Sequence, residues 1–499
     1  MTGRHRVDAA AQVATDASPD VDRAVRAAAA AGVERTTRAE RADWLRALAD
    51  AVEAHRDELV ALAHDETHLS EARLGGEVTR TAAQLRFFAG VIEEGSYLEA
   101  TLDAPDASLT PPRPDLRRML RPIGPVAVFA ASNFPFAFSV LGNDTASALA
   151  AGAPVVVKAH PGHPELSRRV AAIGRDALAA AGGTADALQL VEGLDAGVAL
   201  VGHPLVAAVG FTGSTRGGRA LFDLATARPA PIPFYGELGS LNPVVVTEAA
   251  ATADVAGIAA GLAGSFTRDG GQYCTKPGLV LVPADHGFEA ALDDALAEVD
   301  GQRLLTDGMA VAFVDGVDRL GSLDGAEVVL PGRLADGAAP AAAATVVTVD
   351  AVTFAAGPES WLEECFGPLT VLVRYRGDDE RDRAIATLEG SLTASIHHAP
   401  GEDVRDLADA LGRIAGRLVF NGWPTGVAIA WAQHHGGGWP ATTASVHTSV
   451  GATAIRRWLV PVAYQDAPAG VLPPELRDGN PLGIPRREDG TPKPGSRTA

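Results

Sequence analysis

The stretch Gly124-Pro-Val-Ala-Val-Phe-Ala-Ala-Ser-Asn133 decides the fold, because it starts a regular alternation of short apolar runs and helix-like segments. Apolar runs return at residues 155–157, 187–191 and 206–209, and a helix is predicted over residues 165–181. Short apolar runs separated by helices are typical of a parallel sheet that is covered on both faces. The sequence therefore predicts an α/β fold with a doubly wound parallel sheet.

Helical and extended segments flank this sheet. Ser18-Pro19 has the pattern of a helix start with Gly32 as its end, and Thr37-Arg-Ala-Glu40 has the spacing of a capping box. Residues 101–121 are rich in Pro and Asp and predict an extended excursion, an arm or an edge strand. A second α/β segment is predicted from Asn242 to about Asn421.

Two regions of biased composition predict irregular structure. Residues 335–344 are rich in Ala and Gly and predict a surface loop. Residues 471–499 are rich in Pro and predict an irregular C-terminal tail.

Length and charge narrow the class of protein. A chain of 499 residues is too long for one ordinary core, so two or three domains are expected. The formal net charge of −20 opposes general binding to nucleic acid or to an anionic membrane, although it allows a small anionic ligand. Two cysteines cannot form a disulfide framework, and neither a signal-peptide core nor a run of about eighteen apolar residues is recognised. A cytoplasmic protein is therefore expected.

Three side chains at turns and strand ends could act on a carbonyl carbon. Cys274 follows a Gly-Gly-Gln turn, where a thiol is badly placed for packing and well placed for reaction. Glu237 lies between glycines that expose its carboxylate as a general base, and the Asn133 amide could donate to an oxyanion. Each has an ordinary alternative: Cys274 as a small buried residue, the other two as turn residues. Cys365 lies among bulky, turn-forming neighbours and is predicted to be structural.

A glycine turn and a strand-end cation are the candidates for nucleotide binding. Phe211-Thr-Gly-Ser-Thr-Arg-Gly-Gly218 follows a predicted strand and opens a predicted helix, whose N-terminus favours an anion. The spacing of Gly213 and Gly218 differs from the common dinucleotide fingerprint, so a simple glycine turn is the alternative. Lys158 ends a predicted strand, where its ammonium group points into a ligand crevice or into solvent, and His160 stands beside it.

The His434-His435 pair before three glycines is either a loop pair or a weak metal candidate. Further ligands at helical spacing and a Cys-x-x-Cys motif are missing from the sequence, so no metal site is predicted.

Six motifs occur in an order that resembles the aldehyde dehydrogenase superfamily over nearly the whole chain. They are Asn133 in Ser-Asn-Phe-Pro, Lys158, Phe211-Thr-Gly-Ser-Thr, Glu237-Leu-Gly, Gly271-Gln-x-Cys274 and Glu364-x-Phe366-Gly-Pro368. The resemblance implies an aldehyde dehydrogenase-like fold of two Rossmann-like doubly wound α/β domains and a small β oligomerisation arm. The implied parts are a dinucleotide-binding domain at 1–100 and 122–237, a catalytic domain at 238–440, an oligomerisation arm at 101–121 and 441–470, and the irregular tail at 471–499.

The resemblance also implies roles for the matching residues. Cys274 matches the nucleophile, Glu237 the general base, and Asn133 the oxyanion hole, together with the backbone N–H of Cys274. The implied cofactor-binding residues are Lys158 and Glu364 at the two riboses, the turn residues Gly213, Ser214 and Gly218 at the pyrophosphate, His160 and Arg216 near a 2′-phosphate, and Phe366 beside the nicotinamide. The implied reaction oxidises an aldehyde to a carboxylic acid through a thiohemiacetal and a thioester on Cys274.

Residues 131–139, 158–164 and 472–484 resemble a narrower branch. It holds the NADP-dependent 2-oxoglutarate semialdehyde (2,5-dioxopentanoate) dehydrogenases and a bacterial long-chain fatty aldehyde dehydrogenase, in which a histidine near the active site matches His435. Pro161 stands where NAD-preferring members often carry a glutamate, so no carboxylate repels a 2′-phosphate. NADP is therefore the expected cofactor, with NAD as the alternative.

The substrate is expected to be a small-molecule aldehyde, with 2-oxoglutarate semialdehyde as the candidate that the resemblance implies, and its charge stays open. Semialdehyde-oxidising relatives tend to have an arginine where residues 445–447 read Ser-Val-His, and its absence argues against an anionic substrate. Phe134, Trp423 and Trp431 suggest apolar walls of the substrate site, with ordinary core packing as the alternative. The alternatives are a broad-specificity or fatty aldehyde dehydrogenase, a thiol hydrolase and a non-catalytic binding protein. A homodimer or homotetramer is expected.

Overall fold

The computed structural model describes residues 19–330, 334–335 and 341–496. Ser18, residues 336–340 of the expected loop and residues 497–499 of the expected tail lie outside them. The helices are α1 (Pro19–Ala30), α2 (Arg38–Ala54), α3 (Arg56–Thr67), α4 (Glu71–Glu94), α5 (Asn143–Ala151), α6 (Pro164–Ala180), α7 (Leu194–Gly202), α8 (Thr215–Ala227), α9 (Glu248–Phe266), α10 (Phe288–Leu296), α11 (Asp307–Gly321), α12 (Ala351–Ala356), α13 (Asp378–Ile385) and α14 (Arg405–Gly412). The strands are β1 (Thr101–Asp103), β2 (Leu116–Pro122), β3 (Val126–Phe129), β4 (Val155–Lys158), β5 (Leu188–Val191), β6 (Ala208–Thr212), β7 (Phe234–Glu237), β8 (Val244–Val246), β9 (Leu279–Pro283), β10 (Gln302–Arg303), β11 (Glu327–Leu330), β12 (Leu334–Ala335), β13 (Ala341–Ala342), β14 (Thr345–Asp350), β15 (Leu369–Tyr375), β16 (Ser391–His397), β17 (Ala415–Phe420), β18 (Leu459–Gln465), β19 (Arg486–Glu488) and β20 (Thr491–Lys493).

The N-terminal segment is helical, as its capping signals predicted. α1 begins at Pro19, and Gly32 follows it with a φ of 71°, a left-handed conformation that suits glycine. Thr37 and Glu40 form the capping box of α2, because the Glu40 N–H donates to Thr37 Oγ1 at 3.2 Å and the Thr37 N–H donates to Glu40 Oε2 at 2.7 Å. These bonds satisfy backbone donors that a helix N-terminus otherwise leaves without partners.

The first sheet confirms the doubly wound prediction. Its strand order is β5-β4-β3-β6-β7, and every neighbouring pair is parallel. The register pairs Phe129 with Lys158 and with Phe211, and it pairs Thr212 with Glu237. The carboxyl ends of these strands therefore meet at one edge of the sheet, which is where ligands bind in doubly wound folds.

The second α/β segment forms a seven-stranded sheet in the order β11-β14-β15-β9-β8-β16-β17. Its pairs from β14 to β17 are parallel, and β11 joins antiparallel. The expected loop at residues 335–344 is partly wrong, because Ala341–Ala342 forms β13 and pairs with β10. Ala342 is buried in the core cluster that covers the seven-stranded sheet. This burial offsets the weak strand preference of alanine.

A third sheet combines the extended excursion with the chain end, in the order β18-β2-β1-β19-β20. Residues 101–121 form β1 and most of β2, so the excursion is extended as expected. The expected irregular tail is partly wrong, because Arg486–Glu488 pairs with β1 and Thr491–Lys493 pairs back on it. These strands lack apolar alternation, which is why composition alone predicted irregular structure.

One helix among the described residues, α9, has the length and composition of a membrane span, with a mean hydropathy of 1.3. The sequence analysis had expected no such segment. In the structure Ala259, Leu262, Ala263 and Phe266 of α9 pack in a core cluster with β8 and β9. This is the position of a core helix in an α/β domain.

Candidate active site

The first sheet brings Glu237 and Asn133 to one edge. Glu237 is the last residue of β7, and Asn133 lies in the turn that follows β3. Their exposed fractions are 5% and 7%, so neither is the surface turn residue that the sequence left as an alternative.

Cys274 follows a turn that requires glycine. Gly270 and Gly271 have φ values of 70° and 67°, and a Cβ on Gly271 would overlap the backbone of Gly367. Cys274 is only partly buried, so it is not a small core residue. The turn therefore fixes the position of an accessible thiol.

Two asparagine side chains fix the thiol relative to the expected oxyanion donor. Asn133 Nδ2 donates to Gln272 O at 3.0 Å, and Asn242 Nδ2 donates to Cys274 O at 2.8 Å. The second N–H of Asn133 Nδ2 has no acceptor among the described residues. Asn133 and Cys274 also line one cavity, so a reacting oxygen has a donor beside the thiol.

His435 connects the thiol to the carboxylate. Its Nε2 lies 3.5 Å from Cys274 Sγ and 3.0 Å from Glu237 Oε1. Ser449 Oγ donates to Glu237 Oε2 at 2.5 Å, and the His435 N–H donates to Thr448 Oγ1 at 2.7 Å. Sequence reasoning missed Ser449, whose only signal was its place in a Thr-Ser-Val-Gly motif beside residues 445–447.

Hydrogen bonding fixes the tautomer of His435. Its Nδ1 is buried and has no partner among the described residues, so a proton there would be an unsatisfied donor. The neutral ring therefore carries its proton on Nε2, which donates to Glu237 Oε1. The same N–H faces Cys274 Sγ and can stabilise a thiolate.

Burial and charge shift the pKa of the thiol and of the carboxylate in opposite directions. Burial raises the pKa of Cys274 well above 9.0, and the Glu237 carboxylate raises it further. Burial also favours a higher pKa for Glu237, but the adjacent His435 ring and the hydrogen bonds from His435 and Ser449 outweigh this effect, so the pKa lies below its usual 4.5. At neutral pH the site holds a protonated thiol beside an ionised base.

Glu237, Cys274 and His435 also place one metal-ligand atom each within 4.8 Å of one another. A search for ligands at helical spacing could not find this group, because the three residues converge from separate segments. Thiolate, imidazole and carboxylate suit zinc. Their mutual hydrogen bonds also form an acid–base site that needs no ion, so the absence of a metal stays a prediction.

A cavity of about 690 Å³ extends from Cys274 to the N-terminus of α8. Of the predicted cofactor residues, its wall includes Gly213, Ser214, Arg216, Glu364 and Phe366. Ser214 caps α8 by accepting from the Gly217 N–H at 3.2 Å, which leaves other first-turn N–H groups for an anion. The cavity volume, the helix N-terminus and the carboxyl group of Glu364 together fit a dinucleotide.

Three predicted cofactor residues lie outside this wall. Gly218 is buried under Leu238, which a Cβ would overlap, so it permits close packing of α8. Lys158 and His160 lie at the end of β4 and do not line the cavity. Burial lowers the pKa of His160 to about 3, and its Nδ1 accepts from the Gly162 N–H at 3.0 Å. The lowered pKa disfavours a charge on this ring, and a role of His160 beside a 2′-phosphate stays a prediction.

A second cavity of about 500 Å³ also reaches Cys274 and His435. Phe134 forms part of its wall and stands edge-on to Tyr273, with 5.5 Å between ring centroids. Three arginines line it: Arg73, Arg80 and Arg268. α4 and the segment before Cys274 therefore supply cations to this cavity, although the arginine that relatives tend to carry near residues 445–447 is absent.

The two expected tryptophan walls are wrong, because neither residue lines the cavities at Cys274. Trp423 stacks on His397 with 4.6 Å between ring centroids and packs against α9 at Gly261. Trp431 is exposed and lies near Phe87. Aromatic residues alone could not reveal which face of the loop after β17 they occupy.

Solved structures share this fold. The structure of 3,6-anhydro-L-galactose dehydrogenase in complex with NADP matches with a TM-score of 0.77 at 21% identity, covering 90% of this chain and 91% of that chain. Betaine aldehyde dehydrogenase from Staphylococcus aureus matches with a TM-score of 0.77 at 20% identity, covering 90% and 88%.

A dinucleotide-sized cavity that ends at a thiol defines the class of protein, an oxidoreductase that acts on a carbonyl carbon through a cysteine. The chain belongs to the aldehyde dehydrogenase family, whose model matches residues 4–455. Alpha-ketoglutaric semialdehyde dehydrogenase 2 of Azospirillum brasilense is 47% identical over 91% of this chain and 87% of that protein. Alpha-ketoglutaric semialdehyde dehydrogenase of Acinetobacter baylyi is 39% identical over 94% and 91%. The protein is an enzyme that oxidises aldehydes with NAD or NADP.

Proposed function

We propose that this enzyme oxidises 2-oxoglutarate semialdehyde to 2-oxoglutarate and prefers NADP. The observation that carries the proposal is the cationic wall of the cavity at Cys274, where Arg80 has no carboxylate within 4.0 Å among the described residues. The carboxylate of the semialdehyde pairs with such a cation, whereas a neutral aldehyde does not. The names of the two relatives at 47% and 39% identity support the same substrate.

Cys274, Asn133 and Glu237 perform the chemistry in this proposal. The thiol proton leaves, and the Cys274 thiolate attacks the aldehyde carbon while Asn133 Nδ2 and the Cys274 backbone N–H hold the oxyanion. NADP⁺, when bound, supplies the acceptor for the hydride that leaves this carbon. A thioester on Cys274 remains, and Glu237 activates the water that hydrolyses it to the acid and the thiol. Each turnover consumes one water and releases two protons, because the new carboxyl group of 2-oxoglutarate is ionised at neutral pH.

The preference for NADP rests on local charge. Pro161 offers no carboxylate against a 2′-phosphate, and Lys158 and Arg216 are the cations near the expected ribose position. The neutral His160 ring would contribute a hydrogen bond from Nε2. Gly213 and Ser214 would hold the pyrophosphate, and Glu364 would accept from ribose hydroxyls.

We also infer a homodimer or homotetramer in the cytoplasm. β18 pairs only with β2 among the described strands, so its other edge offers backbone groups to a second chain. Both cysteines are unpaired, which suits a reducing compartment. The domain limits expected from the sequence, with the arm at 101–121 and 441–470, stay part of this proposal.

Absorbance at 340 nm tests the proposal. The purified enzyme is mixed with NADP⁺ or NAD⁺ and with 2-oxoglutarate semialdehyde, neutral aliphatic aldehydes or aromatic aldehydes. We expect the highest kcat/KM for 2-oxoglutarate semialdehyde with NADP⁺. Equal or higher values for long-chain aldehydes would favour the fatty aldehyde alternative, and a preference for NAD⁺ would refute only the cofactor proposal. Thioester hydrolysis without any nucleotide-dependent oxidation would favour a thiol hydrolase.

A further inference from the structure

The three arginines of the 500 Å³ cavity differ in how their charges are balanced. Arg73 donates to Asp269 Oδ2 at 3.0 Å and to Asn133 O at 2.7 Å, and its guanidinium stacks against Phe134 and Tyr273. Its charge and its donors are therefore engaged within the protein. Arg268 is exposed at the surface, where water solvates its charge.

Arg80 is partly buried, and no ion pair among the described residues balances its charge, although its guanidinium lies 5.8 Å from the centroid of the Phe138 ring. Its Nη1 donates to Val427 O at 2.6 Å, but Nε is buried without a partner and Nη2 has no acceptor among the described residues. No carboxylate oxygen of the described residues lies within 4.0 Å of it, because Glu77 pairs with Arg73 and accepts from the backbone of residues 136–137. Nε and Nη2 form one edge of the guanidinium, which is the edge that a carboxylate binds with two parallel hydrogen bonds.

A second arginine whose charge is not balanced, Arg417 of β17, contacts the same segment, residues 424–427. Arg417 donates through Nη2 to Pro424 O at 2.5 Å and through Nη1 to Gly426 O at 3.0 Å, while its buried Nε has no partner in the part of the chain that the structure describes. Arg80 and Arg417 thus fix residues 424–427 through three backbone carbonyl groups. Gly426, Val427 and Arg80 all line the cavity, so this segment and Arg80 belong to one wall of it.

We propose that Arg80 binds the terminal carboxylate of the substrate, with Arg417 as a positioning residue for the wall beside it. The subsite takes the far end of a short ω-aldehyde that carries a carboxylate, while the aldehyde carbon lies at Cys274. This inference rests on the proposed function, because it supplies the group that distinguishes 2-oxoglutarate semialdehyde from a neutral aldehyde. Arg73 and Arg268 do not fill this role, since one is already paired and the other is solvated.

Kinetics of Arg80→Gln with two aldehydes test this role. We expect kcat/KM for 2-oxoglutarate semialdehyde to fall by roughly 10- to 100-fold, mainly through KM, because a hydrogen-bonded charge pair is lost. The kcat/KM for pentanal, which lacks the carboxylate, should stay nearly unchanged. Arg80→Lys keeps the charge but loses the two-donor edge. Its kcat/KM for the semialdehyde should therefore lie between the values of the wild-type enzyme and of Arg80→Gln. Arg86→Gln is the matched control, because Arg86 lies on the same helix and pairs with Asp50 and Glu53 at the surface.

The outcomes separate this inference from the proposed function. If the wild-type enzyme prefers the semialdehyde and Arg80→Gln keeps that preference, the Arg80 subsite is refuted and the proposed function stands. If Arg80→Gln loses activity equally with both aldehydes, Arg80 supports only the fold, and the inference fails. If the wild-type enzyme shows no preference for the semialdehyde over pentanal, both proposals fail. Should Arg80→Gln not fold, the ratio of the two kcat/KM values for Arg80→Lys decides between these outcomes.

Discussion

At the scale of single residues, the reactive group of the site is the Cys274 thiol, which is still protonated. Burial raises the pKa of Cys274, and Glu237 adds to the effect, whereas the charge of Arg417 opposes it. The Nε2–H of His435 lies 3.5 Å from the sulfur and can stabilise the thiolate once it forms.

The raised pKa of Cys274 predicts a pH dependence of alkylation. Iodoacetamide reacts with the thiolate, so the rate in the absence of nucleotide should rise about tenfold per pH unit from pH 7 to 9 without a plateau. The sign follows from the shift, because a raised pKa leaves less thiolate at neutral pH. Cys365→Ala in the background removes the second thiol, which is buried. A plateau below pH 8 would show that the thiol is already ionised and would contradict this prediction.

Replacement of Glu237 by Gln separates the two halves of the reaction. The amide keeps the size of the side chain but cannot accept a proton, so thioester hydrolysis should slow by roughly 10²- to 10⁴-fold. We expect stopped-flow absorbance to show a burst of NADPH close to one per active site, followed by slow turnover. Cys274→Ala should abolish the burst while leaving NADP⁺ binding intact. A Glu237→Gln enzyme without a burst would place Glu237 before hydride transfer rather than after it.

At the scale of elements, local patterns predicted most of what positions the site. The apolar runs at 126–129 and 155–157 predicted buried parallel strands, and residues at their ends do meet at one edge. The glycines before Cys274 predicted a turn, which the positive φ values confirm. Strands β19 and β20 were not predicted, because they have no apolar alternation and five of their six residues are exposed or partly exposed.

The turn before Cys274 gives a matched pair of variants. Gly270→Ala and Gly271→Ala both place alanine at a positive φ, which costs about 1–2 kcal/mol each. Only Gly271→Ala also forces a Cβ into the backbone of Gly367, so its free energy of unfolding should fall by a further 1–3 kcal/mol, roughly. The displaced turn should reduce kcat by about tenfold or more, because nucleophilic attack depends on placement within about 1 Å. Thermal unfolding midpoints and initial rates compare the two variants. Equal losses of stability in both variants would contradict the steric argument.

At the scale of the whole molecule, the site is assembled from segments far apart in the chain. Glu237 meets His435 and Ser449, which lie 198 and 212 residues later. A local sequence pattern does not indicate contacts between such distant segments. Sequence reasoning therefore placed His435 near the active site only through a resemblance, and it missed Ser449. Arg80 was missed for the same reason, because helical periodicity does not tell which cavity a polar residue of α4 faces.

The segment that carries Ser449 continues into a buried ion pair with the first domain. Arg457 Nη2 donates to Asp144 Oδ1 at 2.6 Å, and the two side chains are 3% and 10% exposed. The neighbouring Trp458 Nε1 donates to Ser147 Oγ at 2.8 Å. Asp144 and Ser147 belong to α5, so these contacts dock residues 452–458 on the helix that follows the Asn133 turn.

The adjacent residues Arg456 and Arg457 allow the contribution of these contacts to the free energy of unfolding to be measured. Arg457→Gln leaves the Asp144 carboxylate buried without its cation, which should lower the free energy of unfolding by about 3–5 kcal/mol. Arg456→Gln removes the same charge one residue earlier, where the side chain is 49% exposed and pairs with Glu99, so its effect should stay below about 1 kcal/mol. Thermal midpoints and residual activity at a temperature just below the wild-type transition compare the two variants. Because Ser449 holds Glu237 through the same segment, Arg457→Gln should lose activity before global unfolding, and Arg456→Gln should not. Equal midpoints for the two variants would mean that the buried pair does not hold the C-terminal segment in place.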